Sequence, residues 1–160
     1  MVEARFVRHS CVVMTEMVLP THTNSLNSVF GGVIMSWIDI AAAISAQRHC
    51  SRPVVTASID AVHFHRPAYQ GYVITLKACV NFVARSSMEV GVCVEAEHLV
   101  EKIRFKLASA YLTFVALDDK GQPMPAPSVI PQTEEEKRRY EDGKQRRQQR
   151  RQQRLKKDMT

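Results

Sequence analysis

The pattern of apolar and polar positions divides the chain into a strand, a long helix, four further strands and a charged end. Residues Ser10 to Leu19 (SCVVMTEMVL) are apolar and β-branched and run into Pro20, which predicts a strand. Thr21 to Ser28 (THTNSLNS) is a polar loop of turn-forming residues. From Gly31 to about His49 the period changes. Ile34, Ile38, Ala41 and Ala42 fall on or near one helical face, and Arg52-Pro53 marks the stop. Four strand-like stretches follow: Val54 to Phe64, Tyr72 to Val83, Met88 to His98 and Phe105 to Leu117. In the third, Val90, Val92 and Val94 alternate with Gly91, Cys93 and Glu95, the period of two that a strand imposes. Gly71 and Arg85-Ser86-Ser87 stand where hairpin turns belong.

One helix cannot cover both faces of a five-stranded sheet, yet these strands are too apolar to be solvated on one side. The helix itself is rich in Ala, Ile, Met and Trp, so it is expected to be wrapped rather than laid on a surface. The expected fold is α+β: a five-stranded antiparallel sheet curved around one long central helix, with a second copy covering the remainder.

Asp118 to Pro131 holds four of the seven prolines and is expected to run extended over the surface. Beyond it, Glu134-Glu135-Glu136 opens a segment ending in QRRQQRRQQRLKK. Acidic residues first and basic residues last suit a helix dipole, but the segment has little apolar content. It is expected to be an exposed or frayed helical or disordered tail with no core. The domain expectation is therefore 1–131 for the globular unit and 132–160 for the basic tail.

A chain of 160 residues is one domain's worth, and 45% hydrophobic content excludes a wholly disordered protein. No stretch approaches the ~20 apolar residues of a membrane span. Met1-Val2-Glu3-Ala4-Arg5 lacks the basic-then-apolar layout of a signal peptide, so a cytoplasmic location is expected. Of the net charge of +6, the segment from Gln132 onward carries +5, with 11 Lys and Arg against 6 Asp and Glu, which leaves the body nearly neutral. Cys11, Cys50, Cys79 and Cys93 offer no zinc spacing, and all four are expected to be reduced thiols.

The chemistry concentrates between Pro20 and Ala42. Gly31-Gly32 opens the helix, where unpaired N–H groups and the helix dipole favour developing negative charge on oxygen. Asp39 lies between Ile38 and Ile40 in the most apolar stretch. A buried carboxylate there is costly unless paired or used, so it is either satisfied by a neighbouring donor or serves as base or nucleophile. Along a helix, Asp39 lies about 10 Å from Gly32, too far for both to serve one carbonyl. A symmetric pair with facing helices would remove that conflict.

Five segments together resemble one family. They are PTHTNSLNSVFGGVIMSWID, VVTASIDAVHFHRPAYQG, RSSMEVGVCV, YLTFVALDDKGQPMPAP and the EEEKRRY start of the tail. The chain from about residue 10 to 145 is similar to the hotdog-fold acyl-CoA thioesterases, in their cytosolic acyl-CoA hydrolase branch. The resemblance implies hydrolysis of acyl-CoA to fatty acid and coenzyme A. Asn24 and the Gly31 and Gly32 amides would polarise the thioester carbonyl, and Asp39 would act as base or nucleophile. It also implies that Arg85, Ser86 and Ser87 meet the CoA phosphates, with His65-Arg66 as a second basic site. The expected partners are acyl-CoA and further copies of the chain, a homodimer at least and a trimer of dimers by kinship. No cofactor is expected beyond coenzyme A as part of the substrate. Two departures from the family pattern are Asn27, where Gly is usual, and Tyr72, where Asp is commoner after Gly.

Rival readings have less to stand on. His63 and His65 share a strand face but lack a third metal ligand. Trp37 and the methionines read as packing first and acyl-pocket lining second. A dehydratase of the same fold would need a catalytic His in the helix, which offers none before His49. A non-catalytic acyl-CoA binder would be favoured by loss of Asn24 or Asp39, and both are present. No specific nucleic-acid binding is expected, because the tail has one aromatic residue, Tyr140, and no reader fold. Removal of residues 146 to 160 is expected to leave turnover largely intact.

Overall fold

The computed structural model describes residues 2–60 and 62–158. In chain order the elements are β1 (Arg5–Phe6), β2 (Val12–Met17), α1 (Gly31–Cys50), β3 (Val54–Ile59), β4 (His63–Phe64), β5 (Val73–Val83), β6 (Ser87–His98), β7 (Ile103–Ala116), β8 (Val129–Ile130) and α2 (Glu134–Asp158). The main sheet runs β2-β5-β6-β7-β3 with every neighbour antiparallel, and β4 pairs with β7 as well. The short β1 and β8 form a separate parallel pair.

Period-two alternation sorts each long strand into two faces. Ile74, Leu76, Ala78 and Val80 of β5, with Met88, Val90, Val92 and Val94 of β6, are buried on the inner face. Against them α1 buries Ile34, Trp37, Ile38, Ala41, Ala42 and Ala46, the 3-and-4 spacing of one helical stripe. The opposite stripe is uncovered in the single chain: Met35 is exposed, and Ile40 is 50% exposed. His49 closes the far end of the helix, fully buried, with Nε2 2.7 Å from the Pro127 carbonyl. Burial lowers its pKa below the usual imidazole value, so Nε2 carries the proton and donates to that carbonyl.

Three features differ from the sequence expectation. The stretch Val54 to Phe64 is two strands, β3 ending at Ile59 and β4 starting at His63, and within β3 a bulge between Thr56 and Ser58 inserts Ala57. Thr56 then pairs with Phe114 on the inner face, and Ser58 with Thr113 on the outer face. Secondly, Cys11 and Cys79 are joined in a disulfide across 68 residues of sequence, whereas Cys50 and Cys93 are free. Pairing of Val12 with Ala78 sets the two cysteines opposite each other, with Cα atoms 4.4 Å apart.

The third difference is the charged end. It is a helix, but not a free one. α2 lies across the outer face of the sheet, where Glu89 of β6 is 2% exposed. Arg146 clasps that carboxylate at 3.1 and 2.7 Å and stacks its guanidinium over Tyr111 at 3.7 Å from the ring centroid. Arg150 pairs with Asp60, and Tyr140 meets Phe82 edge to face. Gly143 lets the helix come this close. A Cβ there would meet Glu89 Oε1 and Phe82 Cβ, each at 3.0 Å. Residues 146 to 160 thus include the partner of a buried carboxylate, which corrects the expectation of an exposed or frayed tail.

Candidate functional site

The loop before α1 is set by Asn24 and Asn27. The Asn24 Oδ1 accepts from the Leu26 amide at 2.9 Å, and its Nδ2 donates to Ser28 Oγ at 2.9 Å, a local turn that competes with any regular element. Asn27 takes a left-handed conformation, φ 57°, which Asn adopts more readily than most residues. The loop then delivers Phe30 as the helix N-cap. The Val33 and Ile34 amides both bond the Phe30 carbonyl, so the N–H groups of Gly31 and Gly32 precede the intrahelical ladder. Both glycines are exposed, and Gly32 has open space where a Cβ would stand.

A cleft of about 350 Å³ opens beside Gly31, with Ser28, Phe64, His65, Arg66 and Leu107 in its walls. The structure thus brings His65 and Arg66 to the glycine end of the helix. Arg66 also lies 4.2 Å from the centre of the Phe105 ring, which holds its guanidinium at that rim.

Asp39 lies elsewhere. It is half-buried on the outward side of α1, and Thr56 Oγ1 of β3 donates to its Oδ1 at 2.8 Å. The sequence reading missed Thr56. A β-branched residue inside a strand has an ordinary packing reason to be there, and only its hydrogen bond to Asp39 shows that it points at the helix. Asp39 is thus a carboxylate with one hydroxyl donor, set among apolar residues of an uncovered helix face.

Register places these groups at opposite ends. Phe64, beside Gly31, pairs with Ala108, itself opposite Val94; Thr56 pairs with Phe114, opposite Met88. Six residues of β6 separate those levels, about 20 Å of strand. Arg85, Ser86 and Ser87 form the β5–β6 turn at the Asp39 end, closed by Ala84 N–H to the Ser87 carbonyl at 2.9 Å. The single chain therefore joins Asp39 with Thr56, and Gly31 with His65 and Arg66, but it does not bring Asp39 to Asn24, Gly31 or Gly32. Among the described residues no group of three or more His, Cys, Asp or Glu could hold a metal ion, and no helix is long and apolar enough to cross a membrane.

A family model of the thioesterase superfamily matches residues 26–103. The chain is 51% identical over 134 residues to an acyl-CoA thioester hydrolase of Bacillus subtilis, covering 84% of this chain and 78% of that one. It is 40% identical over 144 residues to the cytosolic acyl coenzyme A thioester hydrolase of Mus musculus, covering 89% of this chain but 38% of that longer relative. Among solved structures, an apo-hexameric acyl-CoA thioesterase superposes with a TM-score of 0.91 at 41% identity, covering 95% of this chain and 97% of that one. An acyl-CoA hydrolase of Staphylococcus aureus, in complex with butyryl coenzyme A and coenzyme A, superposes with a TM-score of 0.88 at 37% identity, covering 96% and 93%. Structures of that hydrolase include alanine variants of an Asn, of an Asp fifteen positions on and of a Thr seventeen positions further. Asn24, Asp39 and Thr56 have those residue types at those spacings.

Proposed function

The chain belongs to the thioesterase superfamily, in its acyl-CoA hydrolase branch, and we propose that it hydrolyses acyl-CoA to a fatty acid and coenzyme A at sites each built from two copies. The observation that carries this reading is the Thr56-bound carboxylate of Asp39, half-buried on an apolar helix face that the single chain leaves uncovered. That face, with exposed Ile59 on the free edge strand β3, is the surface a second copy would cover.

Pairing two such faces antiparallel sets Asp39 of one copy against Asn24, Gly31 and Gly32 of the other. The glycine amides and the Asn24 amide then hold the thioester oxygen as it gains charge. Thr56 fixes one carboxylate oxygen of Asp39 and leaves the other free. The free oxygen takes a proton from the attacking water, which expels the coenzyme A thiolate and gives the fatty acid directly, or attacks the carbonyl itself, which expels the thiolate and leaves an acyl anhydride on Asp39 that water then hydrolyses to the fatty acid. His65, Arg66 and the Arg85-Ser86-Ser87 turn supply cations and hydroxyls for the substrate's phosphates. The globular unit of residues 1–131 carries this chemistry, in a cytosolic assembly of dimers arranged as a trimer.

Complementation tests the shared site. Asp39→Ala chains and Asn24→Ala chains, each inactive alone, are mixed under conditions of subunit exchange, and thiol release from acyl-CoA is followed. Heterodimers have one site with both residues intact, so activity returns. Demonstrated heterodimers with no recovered activity would overturn the shared site.

A further inference from the structure

The repeat RRQQRRQQR puts arginines on α2 in two adjacent rows. Arg146 and Arg150 face the sheet and are matched by Glu89 and Asp60. The other arginines of the repeat have no such match: among the described residues Arg147, Arg151 and Arg154 make no ion pair, yet they converge with Ser58, Ser87 and Thr113 on one cleft of about 310 Å³. No Asp or Glu lines it. The cleft also holds an unspent polar atom: Thr113 Oγ1 is shielded from solvent and has no hydrogen-bond partner. Three like charges and an orphaned hydroxyl at one place are unfavourable in an empty cleft and become favourable when an anion with several oxygens enters.

We infer that this cleft, between α2 and the outer face at β3, β6 and β7, is a binding site for a phosphate-bearing anion. Guanidinium forks match phosphate oxygens in pairs, and the hydroxyls of Ser58, Ser87 and Thr113 supply short uncharged donors beside them. The site is too small for a nucleic-acid duplex and large enough for a diphosphate. It lies on the face of the sheet opposite Asp39, one bulge across the edge strand, since Thr56 faces the helix and Ser58 faces the cleft. Two sources share this chemistry, the nucleotide end of coenzyme A and a free polyphosphate. The coenzyme A source rests on the hydrolase reading above.

The test titrates inorganic pyrophosphate into the full chain by calorimetry. Saturable binding that weakens with salt is expected, falling by about tenfold or more in the Arg147→Gln/Arg151→Gln/Arg154→Gln variant. Thr113→Val, which removes a hydroxyl that holds no native hydrogen bond, is expected to weaken binding severalfold in a chain that folds normally. Lys144→Gln, on the same helix outside the cleft, should leave binding unchanged. If the triple variant also raises KM for acyl-CoA but not for the matching acyl-pantetheine, the occupant is coenzyme A. If binding is lost and neither KM moves, the occupant is a free polyphosphate. Absence of saturable binding in the wild type, equal affinity in the triple variant, or binding of an oligonucleotide that pyrophosphate cannot displace would each overturn the site. Failure of the hydrolase reading shows separately, as no thiol release from wild-type protein, and the titration does not depend on it.

Discussion

Two helices cross the same sheet and are held to it by opposite means. α1 lies on the inner face, where its stripe from Ile34 to Ala46 fills the curve of the sheet with apolar volume. α2 has almost no apolar surface, and it docks on the outer face through a carboxylate the sheet has buried for it, Glu89, with Arg146 closing the pair. The first attachment is non-directional and is written in one element's own periodicity. The second is specific to a few atoms and is visible only when both partners are seen together. An apolar run is thus sufficient evidence that a helix packs, but its absence is no evidence that a helix is free.

The largest expected effect lies on α1. Asp39→Asn is expected to lower kcat by about 10²-fold or more with an unchanged unfolding midpoint, since the amide keeps the shape but cannot accept a proton or attack. Thiol release and thermal unfolding measured on one preparation check both halves. Wild-type turnover would place the chemistry elsewhere and leave Asp39 as a helix residue satisfied by Thr56.

The next effect lies on α2. Arg146→Ala leaves Glu89 buried beside a single more distant cation, Arg150 at 3.6 Å, and is expected to cost about 3 kcal/mol in denaturant unfolding. Replacing both partners, Glu89→Leu with Arg146→Leu, is expected to restore much of that loss, because an apolar pair needs no counter-charge. If the single variant is silent, α2 is held by Tyr140 and Phe82 instead, and the contrast between the helices fails.

Gly143→Ala sharpens the same point at smaller scale. On a free helix the change stabilises by about 1 kcal/mol. On a docked one the new methyl meets Glu89 and Phe82, and overpacking costs about 1–3 kcal/mol. A lower unfolding midpoint is the expected result; a higher one would mean the helix stands off the sheet.

The smallest effect concerns the inner face again. His49 is held below its ordinary pKa by burial, so the unfolded chain binds a proton that the folded chain refuses. Stability should therefore fall as pH drops from about 6.5 toward the lowered native value, by at most about 1.4 kcal/mol per pH unit. His49→Gln should flatten that slope in a series of unfolding curves.

Much of this architecture was legible in the residues alone. The alternation of Val90, Val92 and Val94 marked a strand, Arg52-Pro53 ended the helix, and Asn27 proved to occupy the left-handed position that glycine would otherwise hold. Asp39 stood out because a charge among isoleucines needs a reason. The features that escaped depend on pairing. Glu89 occupies a strand's outward phase, where a polar residue reads as solvated, and nothing local says that a helix arrives to cover it. The Cys11–Cys79 bond depends on the register of β2 against β5, which neither cysteine's neighbours reveal. Gly143 was the overlooked signal for α2, since a glycine in mid-helix is expensive unless something stands close by.

The uninterrupted run of α1 from Gly31 to Cys50 makes that helix a ruler. In the proposed two-fold pair, the stretch from Gly32 to Asp39 would set both the distance between the two reaction centres and the angle at which each carboxylate meets its oxyanion donors. Each residue added or removed within that interval shifts the spacing by about 1.5 Å and swings Asp39 by about 100° around the axis. A one-residue change would disarm both centres at once and leave the helix and its apolar neighbours chemically ordinary. On that proposal the interval between glycine and aspartate could be neither stretched nor shortened by small steps, while the apolar side chains around it could vary one at a time.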